Sequence, residues 1–210
     1  SIAVSVANAK SLAADTSGTV TATIDTTALV TSLVELRIPD GSNNETNAWT
    51  IVIHGNNATN CSAAQLNTIN DATSVAVDLT NVTALAASSL ADLGTLATAI
   101  GNNEFSNDSG LTTIAVSDTT IDATTLATRI DSYDAINGDG TTDMTLPSGA
   151  TINVDANEVD HMLADESAGR LTIGDQAITV TNAITVDQAN LLTATTSGVV
   201  TATIATTEPV

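Results

Sequence analysis

Thr16-Ser17-Gly18-Thr19-Val20-Thr21-Ala22-Thr23-Ile24-Asp25-Thr26-Thr27 returns near the far end of the chain as Thr196-Ser197-Gly198-Val199-Val200-Thr201-Ala202-Thr203-Ile204-Ala205-Thr206-Thr207. From Val4–Thr27 to Ile184–Thr207 the two stretches align without a gap, 180 residues apart, and agree at 14 of 24 positions. Self-similarity at a fixed offset marks a repeat array, in which each unit is too small to bury a core alone and must stack on its neighbours. A chain that stops partway through another copy is expected to be part of a longer repeat protein.

A finer pattern divides that offset. A small polar residue followed four positions later by an apolar one recurs after β-branched stretches: Ser32 with Leu36, Ser62 with Leu66, Ser89 with Leu93, Asp122 with Leu126, Asp155 with Val159 and Asp187 with Leu191, with a degraded copy near Ala7 and Leu12. Successive anchors lie 25 to 33 residues apart, so six units of about 30 residues fill the offset. Asp or Ser ahead of an apolar helical spacing accepts a backbone N–H from the first turn, which reads Asp122, Asp155 and Asp187 as helix N-caps. Asp122-Ala-Thr-Thr-Leu126-Ala-Thr-Arg-Ile130 and Ser62-Ala-Ala-Gln-Leu66-Asn-Thr-Ile69 then predict helices of about two to three turns.

Ahead of the anchors runs alternation of the strand type: Trp49–Ile53, Val75–Val77, Thr113–Val116, Ile152–Val154, Ile178–Val180 and Ile184–Val186. Gly, Asn, Asp and Ser turns such as Pro147-Ser148-Gly149 and Gly174-Asp175 separate these runs. A unit reads as strand, turn, strand, short helix, loop. The expected fold class is a repeat solenoid, with parallel β-sheets and short helices on one side of each coil, about 30 residues per coil and about seven coils. Residues 1–210 form one array on this reading. Aromatic residues are limited to Trp49, Phe105 and Tyr133, which suits a narrow core of Ile, Val, Leu and Ala.

Twenty-four acidic residues face four basic ones, Lys10, Arg37, Arg129 and Arg170, for a formal charge of −20. Nucleic-acid binding needs clustered Lys and Arg, so the balance argues against it. It disfavours anionic membrane surfaces as well. It favours divalent cations, high-salt surroundings or an extended soluble surface. No apolar run reaches the length of about 20 residues that spans a bilayer, so no membrane insertion is expected. The single cysteine, Cys61, excludes an internal disulfide framework.

Thr113-Ile-Ala-Val-Ser-Asp-Thr-Thr-Ile-Asp-Ala-Thr-Thr-Leu126, Ser62-Ala-Ala-Gln-Leu-Asn-Thr-Ile69 and Ile184-Thr-Val-Asp-Gln-Ala-Asn-Leu191 resemble the repeats of very long surface or secreted proteins of marine cyanobacteria. That resemblance covers most of the chain. It implies an extracellular, non-enzymatic structural array and supplies no functional residues. Neither the Leu/Asn pattern of leucine-rich repeats nor the glycine-rich nonapeptides of calcium-binding β-rolls is present.

Three polar loops are expected after helices, at residues 39–45, 101–108 and 131–143, all emerging from one edge of the array. The third carries Asp134, Asn137, Asp139 and Asp143, oxygen ligands at a density that suits Ca²⁺. Asn137-x-Asp139-Gly140 matches the middle of an EF-hand loop, while Ala135 and Leu146 stand where its first Asp and final Glu belong. A solvated Asp/Gly turn is the competing reading. Thr21-Ala-Thr23 and Thr201-Ala-Thr203 carry the Thr-x-Thr of ice-binding faces, but outward-facing strand threonine explains them. His54 and His161 have no ligand-spaced partner, and no nucleophile elbow or phosphate loop occurs.

The chain is therefore expected to be non-enzymatic: a structural segment of an extracellular repeat protein acting as a filament, surface-layer component or spacer. It would associate end to end or continue within a longer chain. The alternative is an adhesin-type module, calcium-dependent or not, that recognises a glycan or protein through the loops on one edge.

Overall fold

A computed structural model describes residues 3–36, 47–55, 59–138, 140 and 142–206. The chain divides into two compact units, Ser1–Thr112 and Thr113–Val210.

In the first unit the order is α1 (Val6–Ala14), β1 (Thr21–Thr23), α2 (Val30–Leu33) running into a 3-10 turn (Val34–Leu36), β2 (Ala48–Thr50), α3 (Ala63–Asn70), β3 (Val77–Asp78), β4 (Ala84–Ser88), α4 (Leu90–Gly101) and β5 (Phe105–Ser106). The second holds β6 (Thr113–Val116), β7 (Thr120–Asp122), α5 (Ala123–Asn137), β8 (Asp143–Thr145), β9 (Thr151–Val154), a 3-10 turn (Ala156–Glu158), α6 (Val159–Ser167), β10 (Leu171–Thr172), β11 (Ala177–Ile184), α7 (Val186–Thr195) and β12 (Val200–Ile204). The class is α/β, and the strand pairs are parallel.

Strands of the second unit alternate between two sheets. β6, β8 and β10 lie side by side in one, and β7, β9, β11 and β12 in the other. Each strand finds its partner roughly one sequence unit away: Ile114 lies opposite Met144 and Met144 opposite Leu171. In the other sheet Ile121, Ile152, Ile178 and Val200 stand in one row. Parallel strands cannot be joined by a tight hairpin, so a helix or long turn must return the chain to the start of the next strand. Helices α5 and α6 occupy two of these returns.

The period-2 alternation decides which residues face inward. Ile114, Met144, Ile121, Ile152 and Ile178 are fully buried, and each such side chain contributes about 1.5–3 kcal/mol of apolar burial. The first unit uses the same device: Val77 pairs with Phe105, both buried, and Trp49 of β2 lies opposite Ala22 of β1. Side-chain amides tie one turn to the backbone of the one before. Asn81 Nδ2 donates to Ile53 O at 2.9 Å and Gln176 Nε2 donates to Pro147 O at 3.0 Å.

The helix starts follow the anchors, with two corrections. Ser62, Ser89 and Asp122 cap α3, α4 and α5 by accepting the N–H three residues on, and Asp155 caps the 3-10 turn that opens α6. Asp187 does not cap. Thr185 does, accepting from Gln188 N while Gln188 returns its side chain to Thr185 N, and Asp187 falls inside the first turn, where a carboxylate favours the helix dipole. Ser32 likewise lies inside α2, whose N-cap position is Leu29.

Two elements outgrow their expected length. Residues 178–180 and 184 belong to the single strand β11 rather than to two, and Val186 already starts α7. α5 runs 15 residues, because Leu126, Ile130 and Tyr133 keep a buried stripe at helical spacing. Gly138 ends it in the left-handed conformation at φ 74°. The segment 131–137 is therefore helix, not loop. The segment 101–108 contains β5, and the segment 39–45 lies outside the described residues. Among the described residues no helix is long and apolar enough to cross a membrane.

Candidate functional site

In a chain this acidic, Arg170 collects three carboxylates. Arg170 stands at the head of β10, where its carbonyl accepts from Met144 N at 2.9 Å and its N–H donates to Asp165 O at 2.9 Å. That backbone pair fixes the side chain beneath the last turns of α5 and α6. Its Nη1 donates to Asp134 Oδ2 at 2.8 Å and lies 3.5 Å from Asp131 Oδ1, both on α5. Nη2 donates to Asp165 Oδ1 on α6. Asp165 is 1 % exposed, so Arg170 supplies the charge that makes its burial tolerable. Burial pushes the Asp165 carboxyl above its ordinary value while Arg170 pulls it back. Arg170 itself is held more firmly protonated, first through its bond to Asp134. His161 flanks the cluster, with Nδ1 3.7 Å from Glu158 Oε2 and Nε2 3.9 Å from Asp165 Oδ1.

The four residues proposed as calcium ligands meet this cluster unevenly. Asp134 Oδ2 is taken by Arg170, and its Oδ1 accepts from Thr142 N at 3.1 Å. Asn137 Nδ2 donates to Thr142 Oγ1 at 2.7 Å. Asp143 sits on β8 and accepts from Thr172 Oγ1 at 3.1 Å. Asp139 lies outside the described residues. A hard cation at this corner has to displace a guanidinium from Asp134. Among the described residues no group of three or more His, Cys, Asp or Glu is placed to hold a metal ion.

Cys61 is buried, and desolvation pushes its thiol up to about 11. Desolvation of that kind disfavours the thiolate, which is the form that acts as nucleophile or metal ligand. The cluster acts as a clamp: the Arg170 guanidinium, at the head of a strand, bonds carboxylates on the last turns of two helices. Sequence reading passed over Arg170, Asp165 and Thr142. The available signal was the rarity of basic residues, since a lone arginine among acids has to find several of them.

No family model, curated protein or solved structure matches the chain.

Proposed function

We propose that this chain is a non-enzymatic structural segment of an extracellular repeat protein, a solenoid of about 30 residues per coil forming a filament, surface layer or spacer. The observation that carries the reading is the parallel ladder: strands pair with partners roughly one unit away, and helices with side-chain caps return the chain between them. The duplicated ends, the apolar rows behind the strands and the clamp-like character of the Arg170 cluster support it. So does the acidic composition with one cysteine, which suits an exposed, extended surface. Electron micrographs of native material test it: a continuous periodic rod is expected, and isolated compact particles would sink the reading.

A second reading, an adhesin-type module that recognises a glycan or protein with Ca²⁺, draws on Asp134 and Asn137 converging at Thr142 beside Asp143. Titration of the chain with Ca²⁺ by calorimetry separates the two. Heat of binding lost in Asp134→Asn favours the adhesin, and no heat favours the structural segment.

A further inference from the structure

We propose that Asn137-Gly138 is a self-modification site, at which the Gly138 nitrogen displaces the Asn137 side-chain amide, and that the Arg170 clamp sets its rate. This goes beyond the structural reading above and does not depend on it.

Of the chain's asparagines, Asn137 alone is followed by glycine. Glycine presents the next backbone nitrogen with no side chain to obstruct it. The reaction needs only water. Gly138 N gives its proton to solvent and bonds to Asn137 Cγ, while the Cγ–Nδ2 bond breaks and Nδ2 takes up a proton to leave as ammonia. Water then opens the five-membered imide at either carbonyl, leaving aspartate or isoaspartate at position 137.

The folded end of α5 fastens each reacting group. Gly138 N donates the proton it would have to lose to Asp134 O at 2.9 Å. Asn137 Nδ2, the leaving group, donates to Thr142 Oγ1 at 2.7 Å, and Thr142 is fully buried. Asn137 is the last residue of the helix, so its ψ must leave the helical range before Gly138 N can close a ring on Cγ. Nothing else stands in the way. Gly138 is exposed, and a Cβ built on it meets no atom within 4 Å, so water reaches this peptide as soon as the last turn opens.

Asp134 joins the fastenings. Its carbonyl holds Gly138 N, its Oδ1 accepts from Thr142 N at 3.1 Å, and its Oδ2 accepts from Arg170 Nη1 at 2.8 Å. Arg170 also reaches Asp131 Oδ1 on the same helix at 3.5 Å. Helix ends open locally at far less cost than the whole fold, and the clamp raises that cost at this end. The product does not refasten. A carboxylate at position 137 has no proton to donate to Thr142 Oγ1, and it places a negative charge at the negative end of the helix dipole. Isoaspartate also lengthens the backbone by one carbon at the cap.

Peptide mapping by mass spectrometry of the full chain, incubated at mildly alkaline pH, tests this, with the urea-unfolded chain as reference. Unfolded, Asn137 is expected to deamidate faster than any other asparagine. Folded, it should react at least about tenfold more slowly, a factor that a modest local opening free energy supplies. Thr142→Val, which keeps the shape of the buried side chain without its oxygen, should raise the native rate severalfold. Arg170→Lys, which keeps the charge that Asp165 needs but loses the fork, should do the same. Circular dichroism checks that each variant folds. Should Arg170→Lys fail to fold, Asp134→Asn replaces it, since it retains an acceptor for Thr142 N and loses the ion pair. An unfolded chain without preference for Asn137 overturns the proposal, as does a native rate equal to the unfolded one. A folded clamp variant or Thr142→Val that reacts at the wild-type rate overturns it as well.

Discussion

Residues 4–26 and 184–206 share their local structure down to single hydrogen bonds. Ser5 and Thr185 each cap a helix by accepting the N–H three residues on. Thr16 Oγ1 accepts from Gly18 N at 3.1 Å, and Thr196 Oγ1 from Gly198 N at 2.9 Å. Asp25 N donates to Val4 O and Ala205 N to Ile184 O, both at 2.9 Å. Their burial nevertheless differs at nearly every apolar position. Local conformation follows the sequence of a unit, whereas the energy stored in it follows the neighbours. Identical residues in the two copies should therefore carry different weights.

The widest gap is expected at the paired isoleucines. Ile24→Ala removes a fully buried side chain and should cost about 2–5 kcal/mol. Ile204→Ala trims an exposed one and should fall within about 0.5 kcal/mol. Urea midpoints of the two variants against the wild type measure the difference. Equal losses would mean that β12 is covered in solution.

The two glycines of the duplicated turn come next. A Cβ on Gly198 would lie 2.3 Å from Gln176 O and 2.6 Å from Asp175 O, both backbone atoms that cannot swing away. A Cβ on Gly18 would meet Thr16 Oγ1 at 3.6 Å, an ordinary contact. Gly198→Ala should cost about 1–3 kcal/mol or more, and Gly18→Ala should be nearly neutral. Amide exchange around residues 174–178 reports the damage directly: protection should fall in Gly198→Ala and stay unchanged in Gly18→Ala.

Cap removal should discriminate less. Ser5→Ala and Thr185→Ala should each cost about 1 kcal/mol. Thr185 is also half of a reciprocal pair with Gln188, whose Oε1 accepts from Thr185 N and Thr185 Oγ1, so loss of the hydroxyl also loosens the Gln188 side chain and should be the larger by a few tenths of a kcal/mol. Thermal midpoints suffice to rank them. Reversal of that order would show that the Gln188 side chain does not hold the α7 start.

The sequence discloses whatever depends on a few neighbouring residues. Ser62, Ser89 and Asp122 are caps because the donor they satisfy is three residues away. Alternation placed Ile114, Ile152 and Ile178 inward because a pleat has period two. The Thr185 cap was equally legible, since Thr185-Val-Asp-Gln188 is a capping box, but the apolar spacing from Asp187 to Leu191 masked it. The extent of α5 required weighing Tyr133 as core rather than as a loop residue. The Arg170 cluster was beyond reach in its particulars. Asp131 and Asp134 are 39 and 36 residues from Arg170, and only the return of the chain through β8 and β9 sets which carboxylates it meets.

The smallest effect concerns a charged difference in the duplicated turn, Asp25 in the first copy and Ala205 in the second. Asp25 Oδ1 accepts from Thr27 N and Thr27 Oγ1, each at 2.9 Å. The backbone N–H is the first reason that its carboxyl sits below the ordinary aspartate value, with the hydroxyl second. A carboxylate whose folded pKa is depressed stabilises the fold at pH above its unfolded value, near 3.9. That stabilisation drains away as the pH falls toward and through the folded value. Asp25→Ala copies the second stretch onto the first and removes the turn's acceptor. The variant should therefore be less stable than the wild type at neutral pH. The gap should narrow as pH drops below about 4 and close once Asp25 is protonated in both states. Urea titrations across that range measure the gap, and at pH 7 the site's full exposure to solvent keeps it small. A gap that widened on acidification would mean that Asp25 is stabilised in its protonated form, which contradicts two donors and no acceptor facing its Oδ1.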